Sequence, residues 1–380
     1  MSVDRAAIPV MRPQLPAADA LLPYLRRIDA VRTYSNWGPL VGEFEQRISQ
    51  QLGLAPGEFT SAGTGTAALI AATLAVAGRA TPAKPLALVP SFTFVASAVA
   101  MELCGYQCHL VDCDEQTWMA DPARLVRALD RSTLARAAVV MPIAAFGRDV
   151  PQSSWQHFRD KTGIPVVIDG AAAFESALRA PDNVLGPIPV ALSFHATKSF
   201  GIGEGGGIAC RDVDLVARAG NALNFGFHGT RESRSASLNG KLSEYHAAVG
   251  LAELDGWPRK TAAFERVATS YRRAFASKGI PDRYIGPPEV SSGYALFLAR
   301  SEAEAKSVVE ALHADSIDSR FWYGRGLHHH AHYATLAREP LTATDRLAPR
   351  LLGLPIAVDL DDAAIERVAE AVARGVAATR

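Results

Sequence analysis

Ser193-Phe194-His195-Ala196-Thr197-Lys198-Ser199-Phe200-Gly201-Ile202-Gly203-Glu204-Gly205-Gly206-Gly207 is the stretch on which the reading of this chain turns. It follows one apolar run, Val190-Ala191-Leu192, and leads into another, Ile208-Ala209-Cys210. Apolar run, polar turn, glycines and a second apolar run read as strand, loop and return strand. A lysine at a strand end beside apolar neighbours can be desolvated enough to lose its proton and serve as an amine nucleophile or Schiff-base former. Taken alone, Lys198 would read as a surface lysine, because lysines are mostly exposed. The rest of the chain changes that.

Outward from this stretch, short apolar runs alternate with helical patterns. The runs are Leu86 to Val89, Cys108 to Val111, Ala137 to Met141, Val166 to Ile168 and Val190 to Phe194. Between them lie helical stretches over Thr66 to Gly78, Phe94 to Leu103, Pro122 to Leu129 and Gln152 to Thr162. Strands apolar throughout and alternating with helices predict an α/β fold with a mostly parallel sheet covered by helices on both faces. Ligands of such sheets sit at the carboxyl ends of the strands. Residues 1–35, with prolines at 9, 13, 16 and 23, read as an arm and one helix, and Val41, Phe44, Ile48 and Leu52 then mark an amphipathic helix. A helix from Ser243 through Leu254 precedes Pro258, where a boundary is expected. Beyond it, a helix (Lys260 to Lys278), a strand (Tyr294 to Ala299), a helix (Glu302 to Ala314) and a closing helix (Asp361 to Ala378) read as a smaller α+β unit. The expected division is thus 1–35, 36–257 and 258–380.

Composition narrows the function classes. With 380 residues, 48% hydrophobic and 21% charged, the chain belongs with globular proteins of one large and one small domain. Lys plus Arg and Asp plus Glu both number 39, so the formal charge is zero and no nucleic-acid partner is expected. No apolar run reaches membrane-spanning length, and Met1-Ser2-Val3-Asp4-Arg5 has no leader-like apolar core, so a cytoplasmic location is expected. Cys104, Cys108, Cys113 and Cys210 lack the paired spacing of a zinc site and read as buried free thiols, with no metal expected.

Four strand ends carry candidate chemistry. Gly63-Thr64-Gly65-Thr66-Ala67-Ala68 fits a dinucleotide fingerprint, but only Phe59-Thr60 precedes it as a strand, and no carboxylate ends the next one. The bare N–H groups of this helix start suit one phosphate monoester, or are a plain cap. Ser91-Phe92-Thr93-Phe94 puts an aromatic where it can lie on a planar ring or join the core. Asp169 ends the buried run Val166-Val167-Ile168, a costly place for a carboxylate unless a cap or a protonated ring nitrogen pairs it. Phosphate seat, flat aromatic, acid and lysine are what pyridoxal 5′-phosphate requires.

The phrasing also resembles one family, the DegT/StrS-type nucleotide-sugar aminotransferases of the fold-type-I, aspartate-aminotransferase-like architecture. The matching stretches are Gly38-Pro39-Leu40-Val41-Gly42-Glu43-Phe44-Glu45, Gly65-Thr66-Ala67-Ala68-Leu69, Pro90-Ser91-Phe92-Thr93-Phe94-Val95-Ala96, Val111-Asp112-Cys113-Asp114, Ile168-Asp169, Ser193 through Lys198, Gly203-Glu204-Gly205-Gly206, Asn239 through Glu244, and Leu354-Pro355. The resemblance implies that Lys198 forms the Schiff base with the cofactor and that Asp169 partners its ring nitrogen. It also implies that Phe94 stacks on the ring, and that Gly65, Thr66 and Ser193 hold the phosphate. Asn239 would reach the phosphate of a neighbouring subunit, so a homodimer with shared sites is expected. The implied partners are an amino-acid donor, glutamate or glutamine, and a keto nucleotide sugar. A relative that cleaves C–O bonds has histidine in place of the lysine, so Lys198 argues for transamination.

Three positions depart from the pattern: Ala172 and Ala144 stand where relatives carry a polar side chain, Gln or His at the first and His at the second, and Gly170 stands where alanine is usual. They leave open a non-nucleotide cyclic ketone as acceptor; a non-catalytic cofactor-binding regulator is the other alternative, against which Lys198 and Asp169 are both intact. Trp37, Arg231, Tyr323 and His328 are the expected substrate contacts. His328-His329-His330 reads as a partly solvated loop with one histidine turned inward, and His195 as a structural histidine of the lysine loop.

Overall fold

The computed structural model describes residues 6–379; Met1 through Arg5, read above for the lack of a leader, lie outside them. Seven strands build the main sheet: β1 (Phe59–Ala62), β2 (Leu86–Pro90), β3 (Gln107–Val111), β4 (Ala137–Val140), β5 (Ile168–Asp169), β6 (Val190–Ser193) and β7 (Gly206–Ala209). β2 pairs in parallel with β3 and β4, and β5 in parallel with β6. Parallel bridges Val140–Val166 and Ile143–Asp169 join the two halves, giving the order β3-β2-β4-β5-β6-β7-β1. Only β7 runs against its neighbours. Alternate residues of a strand face opposite sides, and here both sides are apolar. Leu88, Ile168, Val190 and Leu192 belong to one core, and Ala87, Val89, Val167 and Ala191 to the other. This is the mostly parallel, doubly covered sheet that the sequence predicts.

β1 is the strand that sequence pattern undervalues. Phe59-Thr60-Ser61-Ala62 carries one large apolar side chain, yet all four residues are buried because β7 pairs one edge and helices pack against the strand. A strand does therefore lead into Gly63-Thr64-Gly65. The distinction from a dinucleotide fold rests on the absent carboxylate and on antiparallel β7. The helix Val213–Leu223, capped by Asp212 accepting from the Leu215 N–H at 3.0 Å, also had no counterpart in the sequence reading.

The two helices expected on either side of Pro258 are one. One helix of 34 residues, Glu244–Ser277, runs through that residue. Proline removes one backbone donor and is tolerated when the packing on either side holds the helix. Here Ala247, Ala248, Leu251, Leu254 and Trp257 pack into the sheet's core, and Phe264, Val267, Tyr271 and Phe275 into a separate one. That second core covers a three-stranded antiparallel sheet, β8 (Tyr284–Ile285), β9 (Ala295–Leu298) and β10 (Leu351–Leu354), ordered β10-β9-β8. Of these only β9 was legible beforehand. The N-terminal arm joins the same unit through parallel bridges Ile8–Ile317 and Met11–Ile356. The four cysteines are free and buried, and burial pushes the thiols of Cys104, Cys108 and Cys113 up to about 12, so they stay protonated at neutral pH.

Two acids within the matching stretches have structural work. Glu244, fully buried, accepts from the Leu40 N–H at 2.8 Å and the Val41 N–H at 2.9 Å, satisfying the first turn of the helix Pro39–Gln51. A Cβ on Gly38 would lie 2.7 Å from the Glu244 carboxyl carbon, which is why glycine precedes that helix. Asp112 does the same for the segment Thr342–Leu347, accepting from the N–H groups of Ala343 and Thr344, each at 2.8 Å. Glu244→Ala is expected to lower the unfolding free energy by about 2–3 kcal/mol, since two buried donors lose a charged acceptor, read from urea denaturation followed by tryptophan fluorescence.

Candidate active site

Every expected cofactor residue except Asn239 lies at the carboxyl edge of the main sheet or in the loops that leave it. Thr64 caps the helix Gly65–Ala77, its Oγ1 accepting from the Ala67 N–H at 3.0 Å. Gly65 then meets the end of β6 so closely that a Cβ on it would lie 2.7 Å from Ser193 Cβ and 3.0 Å from Ser193 Oγ. Gly206 tightens the same spot: a Cβ there would lie 2.8 Å from the Gly65 nitrogen. The result is a cradle of main-chain N–H groups at Gly65 and Thr66, which helices leave without internal partners, walled by the Ser193 hydroxyl. The positive end of the helix dipole points into it, which suits a phosphate. Side chains at 65 or 206 would fill it.

Asp169 is buried at the end of β5. Its Oδ2 accepts from Ser97 Oγ at 2.6 Å and its Oδ1 from the Ala171 N–H at 3.0 Å. With the Ser97 proton committed to the carboxylate, Thr93 Oγ1, 2.8 Å from Ser97 Oγ, is the donor in the next link. Burial pushes the Asp169 carboxyl up, while Ser97, Ala171 and the Lys198 charge pull it back. A cationic ring nitrogen against it would supply the charge that keeps a buried carboxylate ionised.

Lys198 follows β6 on a loop pinned by main-chain bonds, the Lys198 N–H to the His195 carbonyl at 2.8 Å and the Ala196 N–H to the Gly203 carbonyl at 2.8 Å. Its Nζ lies 3.4 Å from the Tyr294 hydroxyl. His195 serves this loop: its Nδ1 accepts from the Thr197 N–H at 3.2 Å and sits 2.8 Å from Thr197 Oγ1, with Nε2 3.8 Å from Glu204. Phe94 precedes the helix Ala96–Leu103 rather than starting it, and its ring is 59% exposed where that of Phe92, two residues before, is buried. Among the aromatics after β2 it is therefore the one with a face available to a ligand. The donor set, an amine, a buried carboxylate, an open aromatic face and an N–H cradle, fits pyridoxal phosphate.

The four expected substrate contacts divide into separate places. Trp37, held by its Nε1–H on Glu45 at 3.2 Å, and Arg231 line one cavity of about 650 Å³ with Thr60, Phe227 and His228. Tyr323 lies elsewhere, its ring stacked on Phe146 at 4.5 Å and its hydroxyl accepting from the Phe146 N–H at 3.3 Å. Burial, with Tyr294 and Asp169 nearby, pushes that phenol well up. His328 ties its loop to the end of β2: Nδ1 meets Ser91 Oγ at 2.7 Å and Nε2 meets Asp345 Oδ1 at 2.9 Å. It is the inward histidine of the His328-His329-His330 run, with His329 half exposed beside it. Asn239 stands at the surface, its carboxamide oxygen accepting from Lys241 Nζ at 2.8 Å.

At the departures the wall is apolar. Ala172 packs with Phe92, Phe146 and Tyr294, and at Ala144 the polar contact is main chain, its N–H donating to the Asp169 carbonyl at 2.8 Å. Ser97 and Tyr294 are the site residues that sequence reasoning missed. Neither left a signal: Ser97 meets Asp169 across 72 residues of sequence and Tyr294 meets Lys198 across 96.

Two outcomes follow from this geometry. Gly65→Val is expected to weaken pyridoxal phosphate binding by more than about tenfold by filling the cradle, measured by fluorescence titration, while leaving far-UV circular dichroism intact. Ser97→Ala removes a bond that favours the charged carboxylate, so the Asp169 carboxyl should rise further and cofactor affinity should fall by about tenfold at pH 7, checked by the same titration.

A family model, the DegT/DnrJ/EryC1/StrS aminotransferase family, matches residues 18–373. Protein Rv3402c of Mycobacterium tuberculosis (strain ATCC 25618 / H37Rv) is 34% identical over 372 residues, 96% of this chain and 89% of that one. A dTDP-4-amino-4,6-dideoxy-D-glucose transaminase of Shigella dysenteriae is 31% identical over 253 residues, 65% of this chain and 64% of that one. The crystal structure of DesI in the presence of its TDP-sugar product superposes with a TM-score of 0.83 at 27% identity, covering 98% of this chain and 95% of that one. Fold, donor set and family agree: the chain is a pyridoxal-phosphate-dependent aminotransferase and belongs to the DegT/DnrJ/EryC1/StrS aminotransferase family.

Proposed function

We propose that this aminotransferase moves an amino group from an amino acid, glutamate or glutamine, to the keto group of a nucleotide-linked sugar, and that it works as a homodimer with shared sites. The observation that carries the reading is the convergence of Lys198, Asp169 and the Gly65–Ser193 cradle at one sheet edge. The cofactor supplies an electron sink for the carbanion formed at the substrate carbon. Lys198 Nζ is the base that lifts the proton from that carbon and the acid that returns it on the acceptor side. Asp169 holds the proton at the ring nitrogen, Gly65, Thr66 and Ser193 bind the phosphate, and Phe94 orients the ring. Because donor and acceptor use the same groups in turn, ping-pong kinetics are expected.

The sugar assignment is supported by relatives named for dTDP-linked and TDP-linked sugars. Trp37 and Arg231, which share a cavity, offer an aromatic face and a cation of the kind that a nucleotide diphosphate engages. The homodimer is supported by exposed aromatics, among them Phe94, Phe225 and the stacked pair Tyr34 and Tyr245, rings 6.2 Å apart. Asn239, on the loop that follows Arg231, would then serve the partner's phosphate.

Lys198→Ala should abolish turnover and the visible absorbance of the loaded enzyme; retention of both would refute the lysine's role. Protein loaded with pyridoxamine phosphate should regain that absorbance with keto nucleotide sugars. A response confined to free cyclic ketones would overturn the sugar assignment. Mixing inactive Lys198→Ala and Asn239→Ala chains should restore about a quarter of the parental activity, one intact site in half of the dimers. No recovery, with mixed dimers present, would argue against shared sites.

A further inference from the structure

Among the described residues, Lys198 Nζ has one hydrogen-bond partner, the Tyr294 hydroxyl oxygen at 3.4 Å. Tyr294 comes from the C-terminal unit, and the turn that carries it is fastened to the lysine loop at several points. The Ser291 N–H donates to the Phe146 carbonyl at 2.8 Å, and Ser291 Oγ lies 3.1 Å from Ser199 Oγ. Glu175 accepts from the Ser292 hydroxyl at 2.6 Å and from the Ser292 N–H at 3.1 Å. Gly293 sits so close that a Cβ on it would lie 3.2 Å from the Ser199 nitrogen. The phenol ring is held edge-on by Phe146 at 5.2 Å and by Trp322 at 5.8 Å. A side chain fixed from so many directions presents its hydroxyl at a set place.

The other groups around this pair have different occupations. Asp169 is engaged by Ser97 and Ala171, and the Tyr323 hydroxyl by Phe146. Glu175 holds the turn, Arg12 and Lys260 line the cleft beside Lys198, with Lys260 paired to Glu253, and Arg320 lies over Trp322 on the far side. Ala144 and Ala172 offer no polar side chain. We infer that the Tyr294 hydroxyl oxygen accepts the hydrogen bond from Lys198 Nζ and, while that nitrogen carries the cofactor, holds its proton, supplying from the C-terminal unit a polar contact in a wall where residues 144 and 172 offer no polar side chain. The inference rests on Lys198 being the nitrogen that carries the cofactor, and it makes the docking of the C-terminal unit a condition of the lysine's protonation.

The test uses the full chain loaded with pyridoxal phosphate. Borohydride reduction and peptide mass mapping of the parent first locate the attached nitrogen; a label away from Lys198 would remove the underlying lysine assignment and this inference with it. With Lys198 labelled, the pH midpoint of the visible band is compared between parent and Tyr294→Phe. Removing an acceptor from a charged nitrogen disfavours the protonated form, so the midpoint should fall by about one unit, a tenfold change. kcat should fall about tenfold, with KM changed by less than about threefold. Tyr294→Phe keeps the ring packing; Glu175→Gln, which loosens the turn and leaves the phenol in place, should shift the midpoint in the same direction by a smaller amount, and it carries the test if the first variant does not fold. An unchanged or higher midpoint, with Lys198 still labelled, would overturn the role of Tyr294 and leave that of Lys198 standing.

Discussion

A carboxylate buried at the end of a parallel strand is the constraint around which this molecule is arranged. Burial works against the charge on Asp169, and three neighbours, Ser97, the Ala171 N–H and Lys198, work for it. Such a group is expensive to keep in a core whose neighbouring strands are apolar on both faces. The arrangement is coherent because the sheet gathers its other chemistry at the same edge. The glycine-lined cradle stands beside β6, the lysine loop follows β6, and an open aromatic face follows β2. A cationic ring nitrogen seated among them would supply the missing charge, so that cofactor binding and ionisation of Asp169 would support each other.

Several stretches that look like catalytic signatures are structural. Gly38-Pro39 and Ser243-Glu244 are two halves of one device, a buried carboxylate accepting from the first turn of a helix at Leu40, 204 residues earlier. Asp112 likewise ties the sheet to a segment more than 200 residues on. Glu175, on the helix Phe174–Arg179, anchors the turn of Tyr294. Three acids thus fasten distant parts of the chain to one another. Buried donors at helix starts and turns need such partners, which explains motif-like spacing without any role in transfer.

How much was legible follows from where the information sits. Strands apolar on both faces announce a parallel sheet, and polar residues that interrupt them at their carboxyl ends announce a site, so Asp169, Lys198 and Gly65 could be named from pattern and resemblance. β1 could not be weighed properly, because Thr60 and Ser61 are strand residues only through their pairing with β7. The helix through Pro258 misled because a proline is a strong local stop signal that tertiary packing on both sides overrides. The contacts of His328 with Ser91 and Asp345 are not legible, because they depend on a loop closing over the end of β2. Tyr294 left no trace, since its meaning is a distance to Lys198 that only the docking of two units creates.

Asp169 is proposed to keep a proton on the ring nitrogen of the cofactor. Nitrogen-15 NMR of the protein loaded with ring-labelled pyridoxal phosphate tests it most directly. The account predicts a protonated-nitrogen shift in the parent, persisting above neutral pH, and its replacement by an unprotonated shift in Asp169→Asn. The same protonated shift in both proteins would contradict it.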